Sequence, residues 1–565
     1  MSETAASPHT RTLTGGQIVL QSLKRAGVRV VYGVPGGQTL SILDAIYDDP
    51  EVRFVALRHE MAAAHAADAH FRVTGEPGVC LVTTGPGVTH AVSGIGGAFR
   101  DRSAIVVLTC NSSREYLEEE DAQAADHVAL LRPLTKSSAF VADERALTRT
   151  IRVAFSTALE GRLGPAHVDI PRDILEGTFS EDLDRDDGAR HPVRLPPMSP
   201  DPRAVEEAGR LLEGAERPVL WVGNGVALAD ASEAVVNLAE RLKMPIITTF
   251  SGIGAVPSDH PLVFGPRSRH GTKLTHSLLE QADLLFALGM RLSSSSTHRW
   301  SAQLPPILIH NDVDASAIGR HYFPDVALPG DAKLVLEGLS VRLERFSAPP
   351  SREDWLTSLE QERENWRREV FDRPPEDERG KIHPIALMDE LARLMPRDVI
   401  LAVDAGNPGI WSHLLPINGP RSYMKPVNYG QMGFALPAAI AAKRARPERP
   451  VMALIGDGSL GMSVAELETA VREKLAVTIV VLNDSAYNNI RQEQLTMMGT
   501  PRYIGVDFQE VDYAKVAEGF GAWGRRAVGA EQLRSAMSEA LLQVDRPALV
   551  DVTIDETPNV WKQPF

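Results

Sequence analysis

The chain has 565 residues, 43% of them apolar and 24% charged, and a formal net charge of −15 at neutral pH. That length implies about three domains of ordinary size, and the composition is that of a globular protein able to bury substantial cores, which excludes global disorder. The acidic balance excludes nucleic acid and an anionic membrane surface as main partners, because both are polyanions that demand a basic face.

The opening "MSETAASPHTRT" is polar and no apolar run approaches the ~18–20 residues needed to cross a bilayer, so a cytoplasmic protein is expected. From Gly15 to about Leu175, strand-like runs ("VRVVYGV", "VRFVALR", "GVCLVTT", "SAIVVLTC", "AHVDIP") alternate with helical stretches such as "EMAAAHAADAHFRVT". That alternation reads as a parallel sheet with helices on both faces. Cys80 and Cys110 fall in or at the ends of these apolar runs and read as buried free thiols, with no disulfide framework or zinc cluster. A polar stretch rich in Asp, Arg and Pro, Asp182 to Pro202, reads as a linker.

A second α/β unit is expected from about Arg203 to Leu343, with strands "PVLWVGNG", "MPIITTF", "ADLLFALGM" and "PILIHNDVD". Another polar segment, "RFSAPPSREDWLTSLEQERENWRREVFDRPPEDERGK", bridges to a third unit that opens near Ile382 and carries "DVILAVDAG", "RPVMALIGDG", "AVTIVVLND" and "PALVDVTID". The expected fold is therefore α/β, three doubly wound parallel-sheet domains over residues 1–185, 200–345 and 380–565. In such sheets ligands sit beyond the carboxyl ends of the strands, where the turns Gly33–Gly37, Gly85–Gly87, Gly223–Gly225, Asp404–Asn407 and Gly456–Gly458 fall.

"VMALI" followed by Gly456-Asp457-Gly458-Ser459 reads as a buried strand ending in a turn whose glycines let a ligand approach the backbone. Ser463 to Glu466 has capping-box spacing for a helix through about Lys474, and "AVTIVVLND" is the next strand. Two adjacent parallel strands then deliver Asp457 and Asp484 to one edge. Two hard oxygen donors beside free backbone amides suit Mg²⁺ bridging a diphosphate, whereas either aspartate alone more often makes an Asx turn.

The segment from Gly456 to Asn489 resembles the thiamin-diphosphate motif of the acetolactate synthase and pyruvate decarboxylase superfamily, in which Gly-Asp-Gly is followed by Asn-Asn. The resemblance makes Asp457, Asp484 and the carbonyl of Ala486 the metal ligands, with Asp484 an acidic departure from the usual asparagine. "YGQMGFALPAAIAA" and "VDAGNPGIW" resemble further family stretches. They imply that Met432 holds the cofactor bent, that the Gly430 carbonyl faces its aminopyrimidine and that Gly406 and Asn407 line the diphosphate. Pro35, Pro86, Gly458 and Ser459 are expected to contact the cofactor as well, and the resemblance runs from about Thr12 to Thr553.

Glu60 in "LRHEMAAA" stands at a strand-to-helix junction, where an acid also favours the helix dipole. It matches the family glutamate that hydrogen-bonds the pyrimidine N1′, so that the cofactor's own imino group removes the thiazolium C2 proton. The family builds each active site between subunits, which implies a homodimer or homotetramer. Its relatives hold FAD or ADP in the central domain, where Asp312 and Asp331 are placed to meet a ribose or adenine, although such residues also cap turns.

The substrate expectation rests on departures from the acetolactate synthase pattern. Ser295 in "RLSSSST" replaces the acceptor-binding arginine and Glu493 replaces a pocket tryptophan, while Gln123 is retained between Ala122 and Ala124, which replace an aromatic and an acid. With Glu493 as proton shuttle the chain resembles actinobacterial 2-hydroxyacyl-CoA lyases, and cleavage of an acyl-CoA substrate to formyl-CoA and a ketone or aldehyde is the leading expectation. Acetolactate synthase or a 2-oxo-acid decarboxylase is the alternative within the family, and a non-catalytic scaffold the alternative outside it. Trp561 in the carboxyl-terminal tail either anchors the tail or closes over the site.

Overall fold

The apolar runs assemble into three six-stranded sheets, all of whose strand pairs are parallel. The structure is a computed structural model that describes residues 12–117, 119, 121–180, 195–268, 270–345 and 351–556. Two units are distinguished, residues 1–195 with one of these sheets and residues 196–565 with the other two.

In the first unit the strand order is Arg53–Ala56, Val30–Gly33, Gly78–Val82, Ile105–Asn111, Ala166–Pro171, Ser137–Phe140. The three strands Gly78–Val82, Ile105–Asn111 and Ala166–Pro171 are buried along their whole length, as a parallel sheet covered on both faces requires. Cys80 and Cys110 are buried free thiols within it. The alanine-rich stretch forms the helix Glu60–Thr74, which ends at Gly75 in the left-handed conformation (φ 79°). It packs closely on the helix Pro86–Asp101, where a Cβ on Gly94 would lie 2.5 Å from that of Ala64. A short antiparallel pair, Thr12–Thr14 with Thr178–Ser180, also belongs to this unit.

In the second unit one sheet runs Val263–Pro266, Ile246–Thr248, Pro218–Val222, Leu284–Leu288, Ile307–Asp312, Val326–Pro329. The other runs Tyr423–Met424, Ile400–Val403, Val451–Gly456, Thr478–Asn483, Ala548–Thr553, Trp523–Ala527. The polar bridge is not plain linker: it contains the 19-residue helix Glu353–Phe371, which buries Leu359 and Val370. Its start is held by the buried Arg352, which donates to the carbonyls of Leu212 (3.0 Å), Ala215 (2.7 Å) and Leu242. The expected linker lies outside the described residues over 182–194, and its last residue, Pro202, already opens a helix capped by Asp201. Trp561 also lies outside the described residues. Among the described residues no helix is long and apolar enough to cross a membrane.

Candidate active site

In the first unit Glu60 is the first residue of the helix Glu60–Thr74, whose cap is the His59 side chain accepting from the Met61 N–H. The carboxylate is largely buried, and its Oε2 lies 3.0 Å from His90 Nδ1. Pro86 opens the facing helix, and a Cβ on Gly87 in its first turn would come within 3.7 Å of Glu60 Oε1. The turn before it is tight: Gly85 has φ 58°, and a Cβ there would stand 2.3 Å from the carbonyl oxygen of Gln123. Gln123 is exposed and left-handed (φ 69°), with that carbonyl 3.1 Å from the Thr84 hydroxyl. Pro35 is exposed beside Gly36, where a Cβ would meet Thr83 at 2.4 Å. The structure thus gathers Glu60, Pro86 and Gln123 around one glycine turn.

Beneath that turn lies a polar network that sequence reasoning missed. The buried Asp169 carboxylate accepts from Thr109 Oγ1 (2.6 Å), Asn111 Nδ2 (2.8 Å) and His127 Nδ1 (2.9 Å). His127 Nε2 in turn accepts from the Gly85 N–H at 3.0 Å. The carboxylate therefore fixes which His127 nitrogen carries the proton, and the imidazole holds the turn.

In the second unit the strands Ile400–Val403, Val451–Gly456 and Thr478–Asn483 are neighbours, with Gly456 in register with Leu482. Asp404, Asp457 and Asp484 follow their carboxyl ends directly. The expected capping box at Ser463–Glu466 does not form. A helix starts at once at the Gly-Asp-Gly turn (Asp457–Ser463), the next begins at Glu466 without a side-chain cap, and the Glu466 carboxylate accepts instead from Thr469 Oγ1.

Burial, with the neighbouring Asp484 charge, pushes the Asp457 carboxyl well above the ordinary range. Burial also pushes Asp484 up, against a 2.7 Å hydrogen bond from Asn488 Nδ2. Such a pair is relieved by a bound proton or by a cation between the two carboxylates. Ala486 lies in an isolated bridge to Asp507 whose hydrogen bonds, Tyr487 N–H to Val506 and Phe508 N–H to Ser485, do not use the Ala486 carbonyl.

Asp404 organises the rest of this edge, a role that spacing did not announce. It is fully buried and accepts from the backbone N–H groups of Ala405 (2.9 Å), Gly433 (3.1 Å) and Ala435 (2.8 Å), while burial lifts its carboxyl to about 6 against these donors and the Ser459 hydroxyl. It so ties the segment carrying Met432 to the turn carrying Gly458 and Ser459. Gly458 packs where a Cβ would strike the Tyr487 ring at 2.6 Å. Gly406 has φ 80° and ψ −152°, which glycine alone adopts readily, and Gly430 is left-handed at φ 76°. Asn407 Oδ1 and both amide atoms of Gln431 are buried without a hydrogen-bond partner. Paired buried carboxylates, unpartnered amides and glycine turns are groups that could hold a cation and an anionic ligand.

Glu493 sits half-buried on the helix Asn488–Met498, and Ser295 Oγ lies 2.9 Å from Ser293 Oγ. In the central sheet Asp331 Oδ1 accepts from the N–H groups of Lys333 and Leu334 as the cap of the helix Ala332–Leu343, and Asp312 Oδ1 accepts from Asp314 N–H.

Three family models match in series: thiamine pyrophosphate enzyme, N-terminal TPP binding domain, over residues 13–130; the central domain over 205–339; and the C-terminal TPP binding domain over 404–552. The chain belongs to the thiamine pyrophosphate enzyme family. It is 32% identical to the probable acetolactate synthase large subunit of Methanocaldococcus jannaschii, over 96% of this chain and 92% of that one. It is 34% identical to the acetolactate synthase isozyme 3 large subunit of Escherichia coli, over 97% and 96%. Isozyme 2 of the same organism matches at 33%, over 97% of both chains.

These full-length relatives overturn the leading expectation of an acyl-CoA lyase. The departures at Ser295 and Glu493 tell what an acceptor site lacks, and a lack does not identify a different substrate. Neither the acyl-CoA partner nor formyl-CoA as product has support once the acetolactate synthases are set beside this family member.

Proposed function

We propose that the protein is a thiamin-diphosphate-dependent acetolactate synthase, joining two 2-oxo acids with loss of carbon dioxide. The observation that carries the reading is the end-to-end similarity to acetolactate synthase large subunits, and the aspartate pair and Glu60 supply matching chemistry. Bound thiamin diphosphate supplies an electron sink at which a 2-oxo acid is decarboxylated and its acyl carbon made nucleophilic.

In this reading Asp457, Asp484 and the Ala486 carbonyl hold Mg²⁺, which offsets the diphosphate charge. The amides of Asn407, the backbone at Gly406 and the turn Gly458–Ser459 bind the diphosphate. Met432 supports the cofactor's bend, the Gly430 carbonyl receives its amino group, and Pro35 and Pro86 border the pyrimidine. Glu60 exchanges a proton with the pyrimidine N1′ from a setting that shields it from water. Gln123, whose carbonyl packs against the turn held by His127, and Glu493 face the substrate, and the site forms between subunits of at least a homodimer. An adenine nucleotide, FAD or ADP, would lie at the carboxyl end of the central sheet near Asp312; Asp331 contributes there through its helix cap.

A second reading, a 2-oxo-acid decarboxylase, is favoured by one observation: Ser295 offers a hydroxyl and no charge to an acceptor carboxylate. One assay separates the two. Purified protein with thiamin diphosphate, Mg²⁺ and pyruvate should yield carbon dioxide and acetolactate in equal amounts. Carbon dioxide with acetaldehyde identifies the decarboxylase, and no carbon dioxide from any 2-oxo acid refutes both.

A further inference from the structure

Among the described residues, one group of three metal-ligating side chains brings a ligand atom from each within 4.8 Å of the others, and it is not the aspartate pair: it is His59, Glu60 and His90. His90 Nδ1 already stands 3.0 Å from Glu60 Oε2. The His59 and His90 rings face one another with centroids 4.9 Å apart and planes inclined by 30°. His59 Nδ1 is engaged as the helix cap by the Met61 N–H, so its Nε2 is the nitrogen left for a ligand. The Glu60 side chain is 12% exposed and that of His90 51%, so a buried carboxylate stands beside solvent-facing imidazoles.

The three side chains stand on rigid supports. His59 and Glu60 begin the helix Glu60–Thr74, His90 lies in the second turn of the helix Pro86–Asp101, and the two helices are locked together where Gly94 meets Ala64. Two imidazole nitrogens and one carboxylate oxygen form a borderline donor set that suits Zn²⁺ with water in the fourth position and does not suit Mg²⁺, which prefers oxygen. Bonds of 2.0–2.1 Å at a tetrahedral centre set ligand atoms about 3.3 Å apart. Glu60 and His90 are therefore already close to the spacing of co-ligands, and a change of the His59 side-chain rotamer completes the set.

We propose that His59, Glu60 and His90 bind a zinc-class divalent ion, and that this ion shuts the enzyme off by occupying the carboxylate that otherwise activates the cofactor. The binding stands on the three side chains; the shut-off rests on the proposed role of Glu60. The site is thus a switch between a metal-loaded, cofactor-excluding form and a cofactor-competent one.

Calorimetric titration of cofactor-free protein with Zn²⁺, in excess Mg²⁺ to fill the aspartate pair, tests it. One Zn²⁺ per chain is expected, with affinity falling at least tenfold in His90→Asn and in His59→Asn, and undiminished in Asp457→Asn. Asparagine at position 59 keeps the helix cap, and near-ultraviolet circular dichroism verifies that each variant is folded. Zinc affinity that is the same in both histidine variants overturns the site. In the wild type, saturating thiamin diphosphate should weaken zinc binding at least tenfold. Histidine-dependent zinc binding that thiamin diphosphate leaves untouched overturns the shut-off, whereas the role of Glu60 itself falls only if Glu60→Gln turns over normally.

Discussion

Asp169→Asn is predicted to destabilise the first unit strongly although it changes no volume. The carboxylate is buried and accepts from three donors, Thr109 Oγ1, Asn111 Nδ2 and His127 Nδ1. An asparagine offers one acceptor oxygen and turns an NH₂ group on at least one donor. If His127 responds by moving its proton to Nε2, that nitrogen faces the Gly85 N–H at 3.0 Å, again donor against donor. Either way about two buried polar groups lose their partners, at about 1–3 kcal/mol each, so a loss of roughly 2–6 kcal/mol is expected. For a unit of this size that is a fall in melting temperature on the order of 10 °C, readable by scanning fluorimetry. Asp169→Leu, which leaves all three donors orphaned, should fall further. An Asp169→Asn protein that melts within about 2 °C of wild type would refute the argument, because the network would then be satisfied some other way.

Four further outcomes are expected. Glu60→Gln should lower turnover about 10²–10⁴-fold while thiamin diphosphate still binds, measured by quenching of intrinsic fluorescence; normal turnover would remove Glu60 from the mechanism. Asp457→Asn should raise the Mg²⁺ concentration for half-activation by at least about tenfold, and an unchanged requirement would place the metal elsewhere. His167, held between Thr109 and Ser138, is kept neutral by burial that lowers its pKa to about 4. The unfolded chain takes up that proton near 6.5, so stability is present above that value and is lost as pH falls towards 4, by up to about 3 kcal/mol from this residue. Melting curves between pH 7 and 4.5 should be flatter for His167→Gln than for wild type. Asp484→Asn should keep its fold and its cofactor-dependent activity, melt higher without metal, and need more Mg²⁺; loss of cofactor binding at any Mg²⁺ concentration would count against Asp484 as an ordinary ligand.

How far the fold could be read depended on where each strand sits. The four interior strands of each of the three sheets, from Val30–Gly33 to Ala548–Thr553, all stand out as apolar runs, because an interior parallel strand is buried on both faces. Of the edge strands only Arg53–Ala56 is visible in advance, because the others are short or only partly buried. Ser137–Phe140 is half-buried throughout, and Trp523–Ala527 carries Arg525 and Arg526. The helix Glu353–Phe371 escapes notice because Leu359 and Val370 alone among its residues are buried, too few to make a periodic face. The placing of Asp457 and Asp484 at one sheet edge was legible because each directly follows an apolar run that forms an interior strand, although two helices and not one join those strands. The Asp169–His127 contact spans 42 residues and joins separate elements, so only the folded chain brings it together. The acyl-CoA expectation failed for another reason: Ser295 and Glu493 are two positions in a likeness to acetolactate synthases that extends over nearly the whole chain.

The acidic residue at position 484 is easier to understand from its hydrogen bond than from its charge. Asp484 gives one oxygen, Oδ2, to Asn488 Nδ2, which leaves one oxygen for a metal, the number an asparagine would offer. Acid and amide therefore differ here in charge and not in how many oxygens they present. The surroundings also tolerate the exchange. An amide at 484 would set NH₂ against NH₂, but Asn488 Oδ1 has no partner in the present arrangement and can turn to accept. That turn forfeits only the 3.3 Å contact from Asn488 Nδ2 to the Glu556 carbonyl. The nearby Glu556 carboxylate is already held by Arg491 and, at 3.2 Å, by Lys381, so it adds little uncompensated charge. On the proposed reading, what the acid contributes is a second buried carboxylate facing Asp457, which would bind a divalent cation more tightly and make the metal-free protein less stable. The same substitution should therefore move metal affinity and metal-free stability in opposite directions, a pairing that a purely structural aspartate would not produce.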